Sequence, residues 1–194
     1  MSVPYEELSN SAHLVFVVSI GAFAAGELLQ AFRSRRSATR ADMRAEILFR
    51  VMFFAGILLL PISRIVAPRA VIGGAALFWA GVLLGWFGAL LRWWSFASLG
   101  RYFTVVVMTS ADQPIMERGP YRLLRHPSYS GLLLVFAGTA IMAGNWVGVA
   151  STVVVVLAAL IYRLRIEEKA LTAALGDRYR QFAARRARLI PYVW

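Results

Sequence analysis

Cysteine is absent from this chain, and histidine occurs only as His13 and His126. The first absence excludes disulfides, thiolate metal ligands and cysteine nucleophiles. With two imidazoles at most, a multi-histidine metal centre is excluded as well, and no metal is expected. Lysine is nearly missing too: of 21 basic residues only Lys169 is not an arginine, and 10 acidic residues leave a formal net charge of +11. In a soluble protein that surplus would point to nucleic acid. Here no aromatic-basic RNA motif or reading helix is present, and the arginines sit between apolar runs, where they set topology and meet anionic headgroups. Nucleic acid is therefore not an expected partner. A secretory signal peptide is not expected either, because Met1 to Ser11 holds Glu6 and Glu7 and no arginine.

What the chain has in excess is apolar surface. Its 194 residues are 59% hydrophobic, with a mean hydropathy of +0.63, against about 45–50% apolar in ordinary globular domains. A soluble core of this length cannot hold that excess, whereas lipid can. The expected fold is all-α: one polytopic integral membrane domain over residues 1–194, partnered by the bilayer, with residues 1–91 forming the first three spans.

A helix rises about 1.5 Å per residue, so crossing a hydrocarbon core of about 30 Å takes roughly 20 residues. Ala12 to Phe32 is long enough, and the arginines at 33, 35, 36, 40 and 44 that follow read as a cytoplasmic loop. The second span is expected from Glu46 to Ser63, with Arg50 near its entrance and Pro61 near its exit. The third, Ala70 to Leu91, carries no charge and holds Gly73, Gly74, Gly81, Gly85 and Gly88, whose spacing suits close helix packing in lipid. Glu27 and Arg50 lie near the boundary and read as structural charges. Trp79, Trp86, Trp93 and Trp94 read as packing or interfacial residues. Arg92 to Arg125 is the longest polar section, and the apolar, β-branched run Tyr102–Met108 within it suggests an ordered segment lying at the interface.

Tyr129 to Tyr162 is free of charge, and as one straight helix it would be about 51 Å long. Gly144-Asn145 near its centre supplies a turn, so the expectation is a hairpin of two short spans, Tyr129–Ala143 and Trp146–Tyr162. That makes five spans, followed by a cytoplasmic tail helix over Glu167–Phe182 interrupted at Gly176. Arginine placement puts the N-terminus outside or in a lumen and the C-terminus in the cytoplasm.

Two polar clusters then meet at the cytoplasmic face. One is Gly119-Pro120-Tyr121-Arg122-Leu123-Leu124-Arg125-His126-Pro127-Ser128-Tyr129-Ser130-Gly131, and the other is Arg163-Leu164-Arg165-Ile166-Glu167-Glu168. A hairpin brings its two ends together, so a long sequence separation collapses into one place. Each piece also has a plain structural reading. The arginines can meet lipid phosphates, Pro127 can simply start a helix, and Glu167 and Glu168 can pair with Arg163 and Arg165 at helical spacing.

The Gly119–Gly131 run, with Arg163, Glu167-Glu168, Leu171, Gly176 and Tyr179 downstream, resembles the isoprenylcysteine carboxyl methyltransferase family over Gln113 to Pro191. Those are integral membrane enzymes that use S-adenosylmethionine. The resemblance implies that residues 92–194 form the catalytic part, with Gln113, Pro114, Ile115, Met116, Tyr121, His126, Pro127, Ser128, Tyr129 and Glu167 binding the cofactor. It implies that Arg163 faces the carboxylate of a lipidic or prenylated-cysteine substrate, and Glu168 is carried with it as a catalytic candidate. Phe182 and Leu175 stand where the family often has tyrosine and phenylalanine. Phospholipid methyltransferases share much of the pattern, so an amine acceptor is the alternative. A nicotinamide-dependent sterol reductase, whose C-terminal half is related, and a small membrane scaffold are further alternatives.

Overall fold

The structure, a computed structural model, describes residues 3–34, 43–100 and 115–191. Within them every regular element is a helix: α1 (Tyr5–Leu8), α2 (Asn10–Ser34), α3 (Met43–Val66), α4 (Ala75–Leu99), a one-turn 3₁₀ helix (Gly119–Arg122), α5 (Pro127–Met142), α6 (Trp146–Leu175) and α7 (Asp177–Ala184). Among the described residues, four helices are long and apolar enough to cross a membrane, over Asn10–Leu29, Ile47–Val66, Ala75–Leu99 and Trp146–Leu175, and Pro127–Met142 is a shorter apolar helix. The chain is thus an integral, multi-pass membrane protein with the helical architecture expected of it.

The boundaries differ from expectation in instructive ways. α4 begins at Ala75 and not at Ala70, because Gly74 takes φ +93° and frees the residues before it to pair elsewhere. It also continues past Leu91 to Leu99, so Arg92 to Leu99 are helix and not loop, and Gly100 ends it with φ +52°. The run Tyr102–Met108 lies outside the described residues. The hairpin is present but its arms are unequal. α5 has 16 residues, about 24 Å of helix, whereas α6 has 30, about 45 Å. Nothing between Tyr162 and Glu167 breaks a helix, so the fifth span and the start of the tail are one element. It stops at Gly176, where φ is +53°, and α7 completes the tail.

α4 and α5 pack antiparallel along a seam of glycines. A Cβ on Gly88 would lie 2.6 Å from the Gly131 carbonyl oxygen, one on Gly131 equally close to the Gly88 carbonyl, and one on Gly81 2.9 Å from the Gly138 carbonyl. Only hydrogen fits at these positions, which is how small residues let helices approach in lipid. α3 lies antiparallel along α6, where the buried Thr152 Oγ1 donates to the Gly56 carbonyl at 3.1 Å. Leu132, Phe136, Val156 and Leu160 fill the space between the arms, with Phe49 and Phe53 from α3 against them.

A clasp closes the end that carries the Gly144-Asn145 turn. Ile72 N donates to Gly144 O at 2.8 Å, and Trp146 N donates to Ala70 O at 2.8 Å. The Asn145 side chain donates to Ala67 O at 2.9 Å and caps α6 by accepting from Gly148 N at 3.0 Å. Arg64 donates to Ala143 O at 2.8 Å and pairs with Glu6 and Glu7 of α1. Glu6 is only 3% exposed. This end of the hairpin is thus tied by backbone bonds as well as by side chains.

Candidate active site

Pro127 occupies the first turn of α5, where its missing N–H leaves nothing unsatisfied. That start fixes His126 just outside the helix and Tyr129 and Ser130 on its first turn. Arg163 and Glu167 are four residues apart on α6, hence on one face. Tyr129 joins the two elements: its hydroxyl donates to Glu167 Oε2 at 2.7 Å and accepts from Arg163 Nε at 2.9 Å. The Arg163 guanidinium also lies over the Phe49 ring, 4.6 Å from its centroid. A tyrosine from α5 therefore bridges a cation and a carboxylate on α6.

His126 is 5% exposed, and its ring stacks on Tyr129 with centroids 5.5 Å apart and an interplanar angle of 9°. Nδ1 lies 3.9 Å from Glu167 Oε2 and Nε2 lies 3.4 Å from Glu168 Oε1. Neither approach is a well-directed hydrogen bond, and His126 Nε2 is buried with no hydrogen-bond partner among the described residues. Carboxylates thus flank the imidazole on both sides.

Glu168 faces the tail. Arg125 Nη1 reaches its Oε1 at 3.0 Å and Arg188 Nε its Oε2 at 3.1 Å. Its cations come from beyond its own helix, so the local pairing with Arg165 that helical spacing allows is not what holds it. Backbone bonds set this cluster: Arg125 N donates to Ala187 O at 2.8 Å, His126 N to Arg188 O at 3.1 Å, and Ala187 N to Leu123 O at 3.2 Å. Ser130 Oγ adds a bond to Leu189 O at 2.5 Å. Arg186 stacks on Phe182 at 4.2 Å, donates to Tyr121 O at 2.9 Å, and pairs with Glu117. The tail is thereby strapped beneath the segment that carries His126.

Arg92 supports the same segment from the α4 side. It forms a two-pronged pair with Glu27 of α2, one prong being Nη2 to Oε2 at 2.7 Å, and donates to the Ser128 carbonyl at 2.9 Å. Glu27 is therefore paired with Arg92 and, through it, tied to the site's first turn. Tyr121 is buried; burial, reinforced by the Glu167 charge, pushes its phenol up, against the opposing pull of Arg92 and a hydrogen bond with Ser128. Trp86 donates to Ser19 at 3.0 Å and packs on Phe23 and Trp93, a packing role.

Of the residues singled out in the sequence, His126, Pro127, Tyr129, Arg163, Glu167 and Glu168 come together, with Tyr121 and Ser128 alongside. Ile115 packs separately against the Leu175–Tyr179–Phe182 cluster, and Met116 is half-buried. Gln113 and Pro114 lie outside the described residues. Sequence reasoning missed the roles of Arg92, Arg125, Arg186 and Arg188. The only signal available for them was their abundance beside apolar runs, which does not separate a strut from a headgroup contact.

A family model described as phospholipid methyltransferase matches residues 76–178, more than half of the chain and the whole of α5 and α6. The chain belongs to the phospholipid methyltransferase family. The family match contains His126, Tyr129, Arg163, Glu167 and Glu168, while Tyr179, Arg186 and Arg188 lie beyond it. Among relatives, protein-S-isoprenylcysteine O-methyltransferase A of Arabidopsis thaliana is 34% identical over 96 residues, covering 48% of this chain and 49% of that one. The protein-S-isoprenylcysteine O-methyltransferase of Schizosaccharomyces pombe is 29% identical over 96 residues, covering 48% of this chain and 41% of that one. The match thus spans about half the length of these relatives or less. A solved structure of the eukaryotic intramembrane Ras methyltransferase, isoprenylcysteine carboxyl methyltransferase, superposes with a TM-score of 0.64 at 18% identity, over 92% of this chain and 68% of that one. At that identity the likeness establishes the fold that this phospholipid methyltransferase family member shares.

Proposed function

We propose that this chain is a membrane methyltransferase that moves a methyl group from S-adenosylmethionine to the carboxylate of a prenylated cysteine or a similar lipidic acid. The observation that carries this reading is the Arg163–Tyr129–Glu167 bridge, a fixed cation beside a fixed carboxylate at the membrane boundary. The names of the relatives agree with it.

The residues fit the cofactor. S-adenosylmethionine is a cation that also carries an amine and a carboxylate, and the site offers the Glu167 carboxylate, the Tyr121 ring and the buried, unpartnered His126 Nε2. Ile115, Met116, Pro127, Ser128 and Tyr129, with Gln113 and Pro114 from outside the described residues, would complete its lining. The cofactor, when bound, supplies the electrophilic methyl group.

The chain's own residues do the rest. Glu167 pairs with the cofactor's positive charge. Arg163 orients the acceptor carboxylate, a match for a planar guanidinium, and Tyr129 fixes the distance between Arg163 and Glu167. Alignment of two reactants provides much of the acceleration in a displacement of this type. A carboxylate is already ionised near neutral pH, so no general base is needed and His126 is not assigned that role. Glu168, engaged by Arg125 and Arg188, acts as a positioning residue that holds the tail against the site. The arginine-rich face sets the site and C-terminus in the cytoplasm, with the N-terminus on the other side.

Calorimetry with S-adenosylhomocysteine tests the cofactor assignment. The intact protein should bind it, and Glu167→Gln should weaken binding at least tenfold; an intact protein that does not bind contradicts the reading. The family description favours a second reading, an ethanolamine headgroup as acceptor. An amine must lose a proton, and a cationic headgroup sits poorly beside Arg163, so the carboxylate is preferred. The products differ: an ester releases its methyl in mild base and a methylated amine does not.

A further inference from the structure

The family match begins at residue 76, so α3 precedes it entirely, yet α3 reaches the site. Phe49, Phe53 and Gly56 recur at positions i, i+4 and i+7 and so share one helix face. Gly56 fixes the register of that face. Its carbonyl accepts from the buried Thr152 of α6 at 3.1 Å, and a Cβ added to it would lie 2.9 Å from Val156 Cγ2. One turn away, the Phe53 ring meets Phe136 of α5 edge-on, with centroids 5.0 Å apart. A further turn away, Phe49 is half-buried, with its ring centroid 6.4 Å from that of Phe53. Over its ring lies the Arg163 guanidinium, 4.6 Å from the centroid.

Arg163 is therefore held from two helices at two atoms. The Tyr129 hydroxyl of α5 accepts from its Nε at 2.9 Å, and the Phe49 ring of α3 attracts the charge centred on Cζ through the negative face of its π system. Two such contacts restrict the swing of a rotamer-rich side chain, which would otherwise lose that freedom when the acceptor binds. A carboxylate met by both nitrogens of a guanidinium needs that group already in place. Phe49 also packs beside Tyr129 against the Leu132–Phe136–Val156–Leu160 cluster. Packing asks only for apolar volume at position 49, which leucine nearly supplies, whereas a cation over the ring asks for an aromatic face.

We propose that Phe49 is a positioning residue for the methyl acceptor: its ring face holds Arg163 in the orientation that receives the acceptor's carboxylate. The assignment rests on the methyltransferase reading above. It makes α3 part of the acceptor half of the site and gives Phe49 no share in holding the cofactor.

The test is a series at position 49 in the full chain in nanodiscs, with S-farnesyl-cysteine as acceptor. Phe49→Leu should raise the acceptor KM roughly five- to thirtyfold, the size of a partly desolvated cation–π contact. It should leave kcat and S-adenosylhomocysteine affinity within about twofold, and Phe49→Tyr, which keeps an aromatic face, should restore the KM. Phenylalanine carrying one, two or three ring fluorines at position 49 keeps its shape while draining the π face, so KM should climb with each fluorine. That series reads the ring face even where Phe49→Leu lowers the yield of folded protein. Phe54→Leu is the control, since Phe54 is exposed and meets Phe53 edge-on; it should leave KM unchanged. A KM indifferent to fluorination overturns the proposal, and so does an equal loss of S-adenosylhomocysteine affinity or an equal rise in KM in Phe54→Leu. Wild-type protein that forms no ester instead defeats the methyltransferase reading itself, and the assignment of Phe49 falls with it, so the two failures are distinguishable.

Discussion

The Tyr129 hydroxyl lies 2.7 Å from Glu167 and 2.9 Å from Arg163, donating to the first and accepting from the second. One phenol thereby sets the spacing between the group proposed for the cofactor and the group proposed for the acceptor. Both bonds involve a charged partner, a class with a net value of about 1.5–3 kcal/mol each. Tyr129→Phe keeps the ring that stacks on His126 but releases both charges. Methyl transfer, measured by steady-state kinetics, should fall roughly ten- to hundredfold, with a much smaller change in S-adenosylhomocysteine affinity. A variant with wild-type kcat would mean that the bridge has no part in alignment.

Arg92 links α2, α4 and the first turn of α5 through Glu27 and the Ser128 carbonyl. Breaking such a partly buried pair from one side strands a charge, at a cost of about 3–5 kcal/mol when burial is complete and less here, where Glu27 is 31% exposed. Glu27→Ala and Arg92→Ala should each lower the melting temperature, and the double variant should lose less than the two combined. Strict additivity in that thermal double-mutant cycle would show the pair is not coupled.

The glycine seam between α4 and α5 should tolerate no side chain. Gly131→Val forces a methyl-bearing carbon towards the Gly88 carbonyl, so it should abolish or sharply lower the yield of folded protein by size-exclusion chromatography. Gly21→Ala is the control, because nothing lies within 4 Å of its added carbon. It should be neutral or stabilising by up to about 1 kcal/mol, since alanine favours helix over glycine.

At the opposite end, Arg64→Met removes the cation that neutralises the buried Glu6. Stability should fall while S-adenosylhomocysteine affinity in the surviving folded protein stays within about twofold, because this clasp is separated from the site by the length of α5 (about 24 Å). A large loss of affinity would show that the clasp sets the register of the site more tightly than its distance implies.

Much of this arrangement was legible in the residue order. Excess apolar length implies spans, Gly144-Asn145 implies a hairpin, and a hairpin implies that His126 meets Glu167. Helix ends were less legible. α4 and α6 run past their apolar stretches, because charged residues such as Arg92 and Lys169 are good helix formers and only a glycine with positive φ stops the helix. The ion-pair struts were not legible at all. Arg125 and Arg188 find Glu168 only because residues 123–126 run beside 186–189, a pairing that leaves no periodic signal. Tyr179 was visible as part of a family pattern, but its packing against Leu175 and Phe182 comes only from the fold.

The central claim is an ester product at a site built around Arg163. Purified protein in nanodiscs, given methyl-labelled S-adenosylmethionine and S-farnesyl-cysteine with a free carboxylate, should form lipid-soluble label that mild base releases as methanol. Arg163→Gln should abolish it. Base-stable label on an ethanolamine headgroup, or no label with either acceptor from protein that binds the cofactor, would contradict it.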